Sequence, residues 1–338
     1  MKKPFVLALC TAFVWLAAIA LSRSLGSAQS AAPGSGAHPE VTRAEYERWK
    51  AELSNWGRWG KEDQIGAMNL VTPAKRKQAA ALVKDGVSVS LAGDAETEKS
   101  VDNPRPYEHV MYQAGPVNAG DSISVSFHGY AHTHIDAFSH RYFDRKMWNG
   151  FTTDDVTIEG GAKKGSIYAL HNGIVTRGIL MDIPRLKGVP YLEPGTRIFS
   201  DDLDAWEKKA GLKVSAGDAL FIRTGRWARR AKVGPWQAPQ QSAGLDASVL
   251  PWLRRRDVAL LGSEYAHDAN PRPGSELGNL PVHDFTLIML GIHLFDDMNL
   301  EAVAQAAAEH NRWEFLLTAA PLTIRNGTGS PINPIAVF

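Results

Sequence analysis

The chain has 338 residues, 44% of them hydrophobic and 22% charged, which is enough apolar material for a large core and too little polarity for a disordered protein. Its 37 basic and 36 acidic residues leave no positive excess from which a nucleic-acid-binding face could be built. The one cysteine, Cys10, excludes an internal disulfide and a thiolate metal cage, so any metal has to be held by histidines and carboxylates.

The first residues, MKKPFVLALCTAFVWLAAIALSRSLGSAQS, combine a basic start, an apolar run from Phe5 to Leu21 and small residues around Ala28. That pattern predicts a secretory signal over residues 1–28 and a periplasmic or secreted mature protein with no membrane attachment. An uncleaved anchor is the alternative, because the run sits at the lower length limit for spanning a bilayer. Cys10 lies within this segment, and loss of Lys2, Lys3 and Arg23 with it leaves 34 basic against 36 acidic residues. Residues 29–41, rich in small residues and proline, read as a flexible spacer.

One domain is expected over residues 42–338. Thr42 with Glu45 forms a capping box ahead of Tyr46, Trp49 and Leu53 at helical spacing. Thr72 and Pro73 start a second helix, expected to run to about Lys84 before Gly86. VSVSLAG alternates as a strand, and SISVSFHG, IVTRGILMDI, DALFIRTG and VALLGSE are apolar β-rich runs bounded by turn residues. Between them SDDLDAWEKKAG reads as a helix capped by Ser200 and ended by Gly211. NLEAVAQAAAEHN is a further helix and WEFLLTAAPLTI a strand, so the fold class is α/β with a mixed sheet.

The chemistry concentrates in residues 128–140, HGYAHTHIDAFSH. If residues 122–136 are extended, His128, Tyr130, His132, His134 and Asp136 share one face. A helical turn after them would bring His140 beside Asp136. Imidazoles and a carboxylate then converge on one point, where a cation relieves the cost of burying them. One strand rarely completes such a site, and LPVHDFTLIMLGIHLFDDMNL offers His283, His293, Asp296 and Asp297 as distant partners.

THIDAFSH resembles the signature H-x-G-T-H-x-D-x-P-x-H of the metal-dependent cyclase and amidohydrolase family that includes kynurenine formamidase, isatin hydrolase and trans-dienelactone hydrolase. WGKEDQIGAMNLVTP, NGIVTRGILMDI, GDALFIRTG and APLTIRNGTGSPINPIAV extend the resemblance over nearly the whole mature chain. It implies a swivelling β/β/α domain, commonly a homodimer or homotetramer, and a divalent metal, Zn²⁺ or Mn²⁺. On this chain it implies His134, Asp136, His283 and Asp296 as ligands, with Asp296 standing where the family usually has glutamate, and His140 as the proton-carrying base. Tyr130 falls on the family's first histidine ligand and His132 on its glycine. His128 is the replacement ligand and His132 the next choice; with His128 in place, Tyr130 and His132 face the substrate together with Trp59.

The implied activity is hydrolysis of an amide, lactam or lactone in a small aromatic or cyclic substrate by metal-activated water. Two alternatives stand beside it. One is a lyase or cyclase using the same metal for dehydration or ring closure, and the other is a catalytically impaired member that binds metal or ligand. Arg177, Arg223 and Arg325 are candidates for holding a substrate carboxylate, with pairing to Asp182 or Asp218 as the competing reading.

Overall fold

The computed structural model describes residues 38–338. The signal expected over residues 1–28 and most of the spacer lie outside the described residues. Nine strands form one mixed sheet: β1 (Ser88–Ser90), β2 (His134–Asp136), β3 (Ile174–Asp182), β4 (Ala219–Arg223), β5 (Leu260–Ser263), β6 (His293–Asp296), β7 (Glu314–Ala319), β8 (Gly329–Pro331) and β9 (Ile335–Val337). Their spatial order is β1-β9-β7-β3-β4-β5-β6-β2-β8.

The four central strands, β3 to β6, run parallel, and all other pairings in the sheet are antiparallel. Continuous apolar runs such as ALFI and LLGS suit this position, because a parallel strand is covered on both faces and has no side for polar alternation. Register stacks Ile179, Leu220, Leu261 and Leu294 side by side. On the neighbouring row Phe221 lies against Phe295 and Phe315, with ring centroids 6.0 and 5.9 Å apart. The expected mixed sheet is therefore present.

Helices cover the sheet: α1 (Arg43–Glu52), α2 (Pro73–Ala80), α3 (Ser200–Ala210), α4 (Arg226–Val233), α5 (Pro281–Phe285) and α6 (Glu301–Glu309) among others. The Thr42 hydroxyl caps α1 by accepting from the Glu45 N–H, and Tyr46 on that helix donates its hydroxyl to the Pro281 carbonyl at 2.7 Å. Two helix limits differ from expectation. α2 stops at Ala80, because the N–H groups of Leu82 and Val83 turn to the carbonyls three residues back, and those of Asp85 and Gly86 then turn to the Phe338 carbonyl. α3 is capped at Phe199, whose N–H donates to the Asp202 carboxylate, and Ser200 is its first residue.

The largest departure concerns residues 122–136, which are not one strand. Ala119–Ser124 closes an exposed two-stranded ribbon with Glu108–Ala114, and extended pairing resumes only at His134. In between, arginines distant in sequence take the carbonyls that a ladder would have used: Arg105 donates to His128 O and Arg226 to Tyr130 O. Beyond Asp136 the expected helix is a single 3₁₀ turn, Phe138–His140. Among the described residues no helix is long and apolar enough to cross a membrane.

Candidate metal centre

β2 is flanked by β6 and β8, and its register with β6 sets His134 opposite Asp296. β6 carries Asp296 at its carboxyl end, one of the strand ends where open α/β sheets place their sites. His134 and Asp136, two apart on β2, share a face, with His134 Nε2 3.4 Å from Asp136 Oδ1. The loop before β2 returns His128 to the same carboxylate, with Nδ1 2.9 Å from Asp136 Oδ1. The 3₁₀ turn after β2 brings His140 Nε2 to 3.7 Å from Asp136 Oδ2. From α5, His283 Nε2 reaches both carboxylates, 3.1 Å from Asp136 Oδ2 and 3.4 Å from Asp296 Oδ2.

Three imidazoles have one nitrogen fixed from outside the cluster. His134 Nδ1 donates to His132 O at 2.8 Å, and His128 Nε2 lies 3.0 Å from the Thr328 hydroxyl. His283 Nδ1 lies 3.3 Å from Asp284 Oδ1, a carboxylate that Arg141 grips with two nitrogens. The remaining nitrogen of each ring faces Asp136 or Asp296, which is how protein-held metal ligands are oriented. His128 Nδ1, Asp136 Oδ1 and Asp296 Oδ1 are buried and have no aligned hydrogen bond, although close neighbours surround them. Donors about 2.0–2.2 Å from a tetrahedral ion stand roughly 3.3–3.6 Å apart, the range in which the His134–Asp136 and His283–Asp296 pairs fall, both at 3.4 Å. Two overlapping donor sets, His128-Asp136-His140 and His134-Asp136-Asp296, have the spacing to hold a metal ion. The residues present therefore fit a divalent cation.

The cluster sets its buried carboxylates against imidazoles that they help to charge. Burial opposes charging His134, but Asp136, Asp296 and Asp297 overcome it and lift the ring to about 9. Burial likewise opposes charging His283, and Asp296, Asp136 and Asp284 hold it well above its usual value. Burial would raise both carboxylates; instead His140 and the imidazoles around it hold Asp136 well below the usual range, and His283 with His267 does the same for Asp296. His140 differs, because burial lowers it to about 4 against the pull of Asp136 and leaves a neutral ring, stacked on His128 at 3.9 Å. Burial pushes the Tyr130 phenol up to about 12, with Asp297 and Asp296 adding to it, so it keeps its proton at neutral pH.

Other residues singled out from the sequence lie elsewhere. His132 turns from the cluster, setting Nε2 2.9 Å from the Arg105 carbonyl and its ring edge-on to Tyr107. Trp59 packs against Trp148 beneath the Arg58 guanidinium rather than against the histidines. Arg177 is bound to Asp218 and Glu314, and Arg223 to Asp182 and Glu301, so both tie strands together. Sequence reasoning missed His267, fully buried with Nε2 3.0 Å from Asp296 Oδ1, and Thr328, which fixes His128. A histidine beside an aspartate in YAHDAN was the only signal for the first, and nothing local marked the second. His293 backs onto β2, with Nδ1 donating to Asp136 O at 3.0 Å, and Asp297 is paired to Arg226.

Comparison with known proteins accords with this architecture. A search of curated proteins finds no match. A crystal structure described as a novel cyclase is 32% identical, with a TM-score of 0.76 over 86% of this chain and 99% of that one. Isatin hydrolase A from Ralstonia solanacearum (21% identity, TM-score 0.51, 74% of this chain and 91% of that one) shares the fold. So does isatin hydrolase A from Labrenzia aggregata, solved with benzyl benzoate (20%, 0.53, 77% and 96%). The family model described as "Putative cyclase" matches residues 47–267, a span that runs from α1 past the signature at β2 to the loop after β5. With a match over most of its length and a solved relative at that identity, the chain belongs to the Cyclase family.

Proposed function

We propose that the protein is a metal-dependent hydrolase that opens an amide, lactam or lactone bond in a small cyclic or aromatic substrate. The observation that carries this reading is the set of buried, unaligned donor atoms around Asp136, beside a neutral, partly exposed imidazole on His140. His128, His134, Asp136, His283 and Asp296 would hold the ion, and a nitrogen and oxygen set without thiolate suits Zn²⁺ or Mn²⁺. When bound, such an ion polarises a carbonyl and lowers the pKa of water. His140, already neutral, takes a proton at Nε2 from the attacking water and returns it to the leaving nitrogen or oxygen. Its stacking on His128 keeps the ring at one angle to the cluster. Tyr130 retains its phenolic proton and can donate it toward the carbonyl oxygen as negative charge builds there.

The test is turnover of formyl-anilides, isatin and dienelactones by the metal-loaded protein, followed by product mass. Addition of one water to the substrate supports hydrolysis. A product of equal mass, or of one water less, would replace it with ring closure or dehydration, and metal-loaded protein inert on all three classes would favour a non-catalytic binder.

A further inference from the structure

His267 lies on the loop leaving β5 and is completely buried. Its backbone is left-handed, φ 67°, a conformation uncommon for any residue but glycine and held here by neighbouring hydrogen bonds. Its carbonyl accepts the Leu245 N–H at 2.7 Å, and the next residue, Asp268, accepts the N–H groups of Val282 and His283 at the start of α5. The segment that places His267 thus also places His283.

Neither nitrogen of the His267 ring has an aligned hydrogen bond, and neither does Asp296 Oδ1, which is 3.0 Å from Nε2. The other oxygen of Asp296 faces His283. Asp296 therefore stands between two imidazoles, one per oxygen. A buried ring whose nitrogens have no aligned hydrogen bond is disfavoured unless something coordinates it. Its 3.0 Å separation from Oδ1 is a few tenths of an ångström shorter than the spacing of neighbouring donors on one tetrahedral ion.

We infer that His267 is a further metal ligand, sharing an ion with Asp296 on the Oδ1 side of that carboxylate. This rests on the reading of the Asp136 cluster as a metal centre and adds a residue to it. The competing role is that of a residue that only orients Asp296.

The experiment uses the full chain as wild type, His267→Ala and His267→Gln, each loaded with Co²⁺. Metal equivalents, chelator-competition affinity and the visible Co²⁺ spectrum are read, with near-ultraviolet circular dichroism of the metal-free forms to check folding. Wild type should bind Co²⁺. Both variants should bind at least tenfold more weakly or lose one equivalent, with an altered spectrum. If His267→Ala fails to fold, His267→Gln alone decides, because glutamine can still donate an N–H to Asp296 but is a poor ligand. Wild-type affinity and spectrum in His267→Gln would overturn the inference while leaving the centre intact. Wild type that binds no Co²⁺ would overturn the metal centre and the inference with it.

Discussion

Asp136 carries four imidazoles within 3.7 Å of its two oxygens, and His140, the farthest of them, is neutral and partly exposed, unlike the buried, proton-holding rings of His134 and His283. This difference separates binding from turnover. Asp136→Ala should lose metal and activity together, whereas His140→Ala should keep its metal and lose about 10²–10⁴-fold in kcat. Metal analysis beside kcat checks this, and equal metal loss in both variants would contradict the division. A second consequence concerns pH. His134, lifted to about 9, is protonated in the metal-free protein at pH 7, and a cation has to displace that proton. Metal affinity should therefore climb about tenfold per pH unit for each displaced proton and level off as pH passes through about 9. For the metal-free protein the sign is opposite. A folded pKa above the usual imidazole value means that protonation of His134 stabilises the fold below about 6.5, a contribution lost as pH rises toward 9. Chelator competition and metal-free denaturation at several pH values read both trends.

At the scale of elements, the short strands around β2 decide where the rings sit. β8 follows Thr328, whose hydroxyl meets His128, and Gly329 lies so close that an added Cβ would be 2.7 Å from Ile135 O and 2.9 Å from His128 Cε1. Thr328→Val should free the His128 ring and lower metal affinity by about 10–100-fold while sparing the fold, a result that titration beside circular dichroism can check. These contacts explain what the sequence could and could not disclose. The meeting of His134, Asp136 and His140 follows from spacing, since a strand and the turn after it set positions two and four apart. His128 joins them by another route, because Arg105 and Arg226 capture the carbonyls of residues 128 and 130 and fold the segment back. A pattern read at period two has no means of registering a guanidinium about a hundred residues away. The same folding turns His132 outward to the Arg105 carbonyl, where a continuous strand would have aimed it at the cluster.

For the whole molecule, the parallel strands form the rigid frame against which the cluster is held; the uninterrupted apolar runs of β3, β4 and β5 make those three legible, whereas β6, short and ending in Asp296, is not legible as a strand in the sequence. Phe221 sits at the middle of that frame, fully buried between Phe295 and Phe315. Phe221→Ala should lower unfolding free energy by about 3–5 kcal/mol, measured by denaturant titration, through lost contact and the cavity left behind. The order in which the frame brings distant pieces together, β8 beside β2 beside β6, is set by tertiary packing and has no local mark in the chain. The central claim is that this packing gathers buried donors around Asp136 to hold a divalent cation. The most direct test is anomalous diffraction at the zinc edge from crystals of the full chain grown with Zn²⁺. The account predicts a peak about 2.0–2.2 Å from an Asp136 oxygen and from nitrogens of the surrounding histidines. An Asp136 cluster without an anomalous peak, in crystals soaked with excess Zn²⁺, would contradict it.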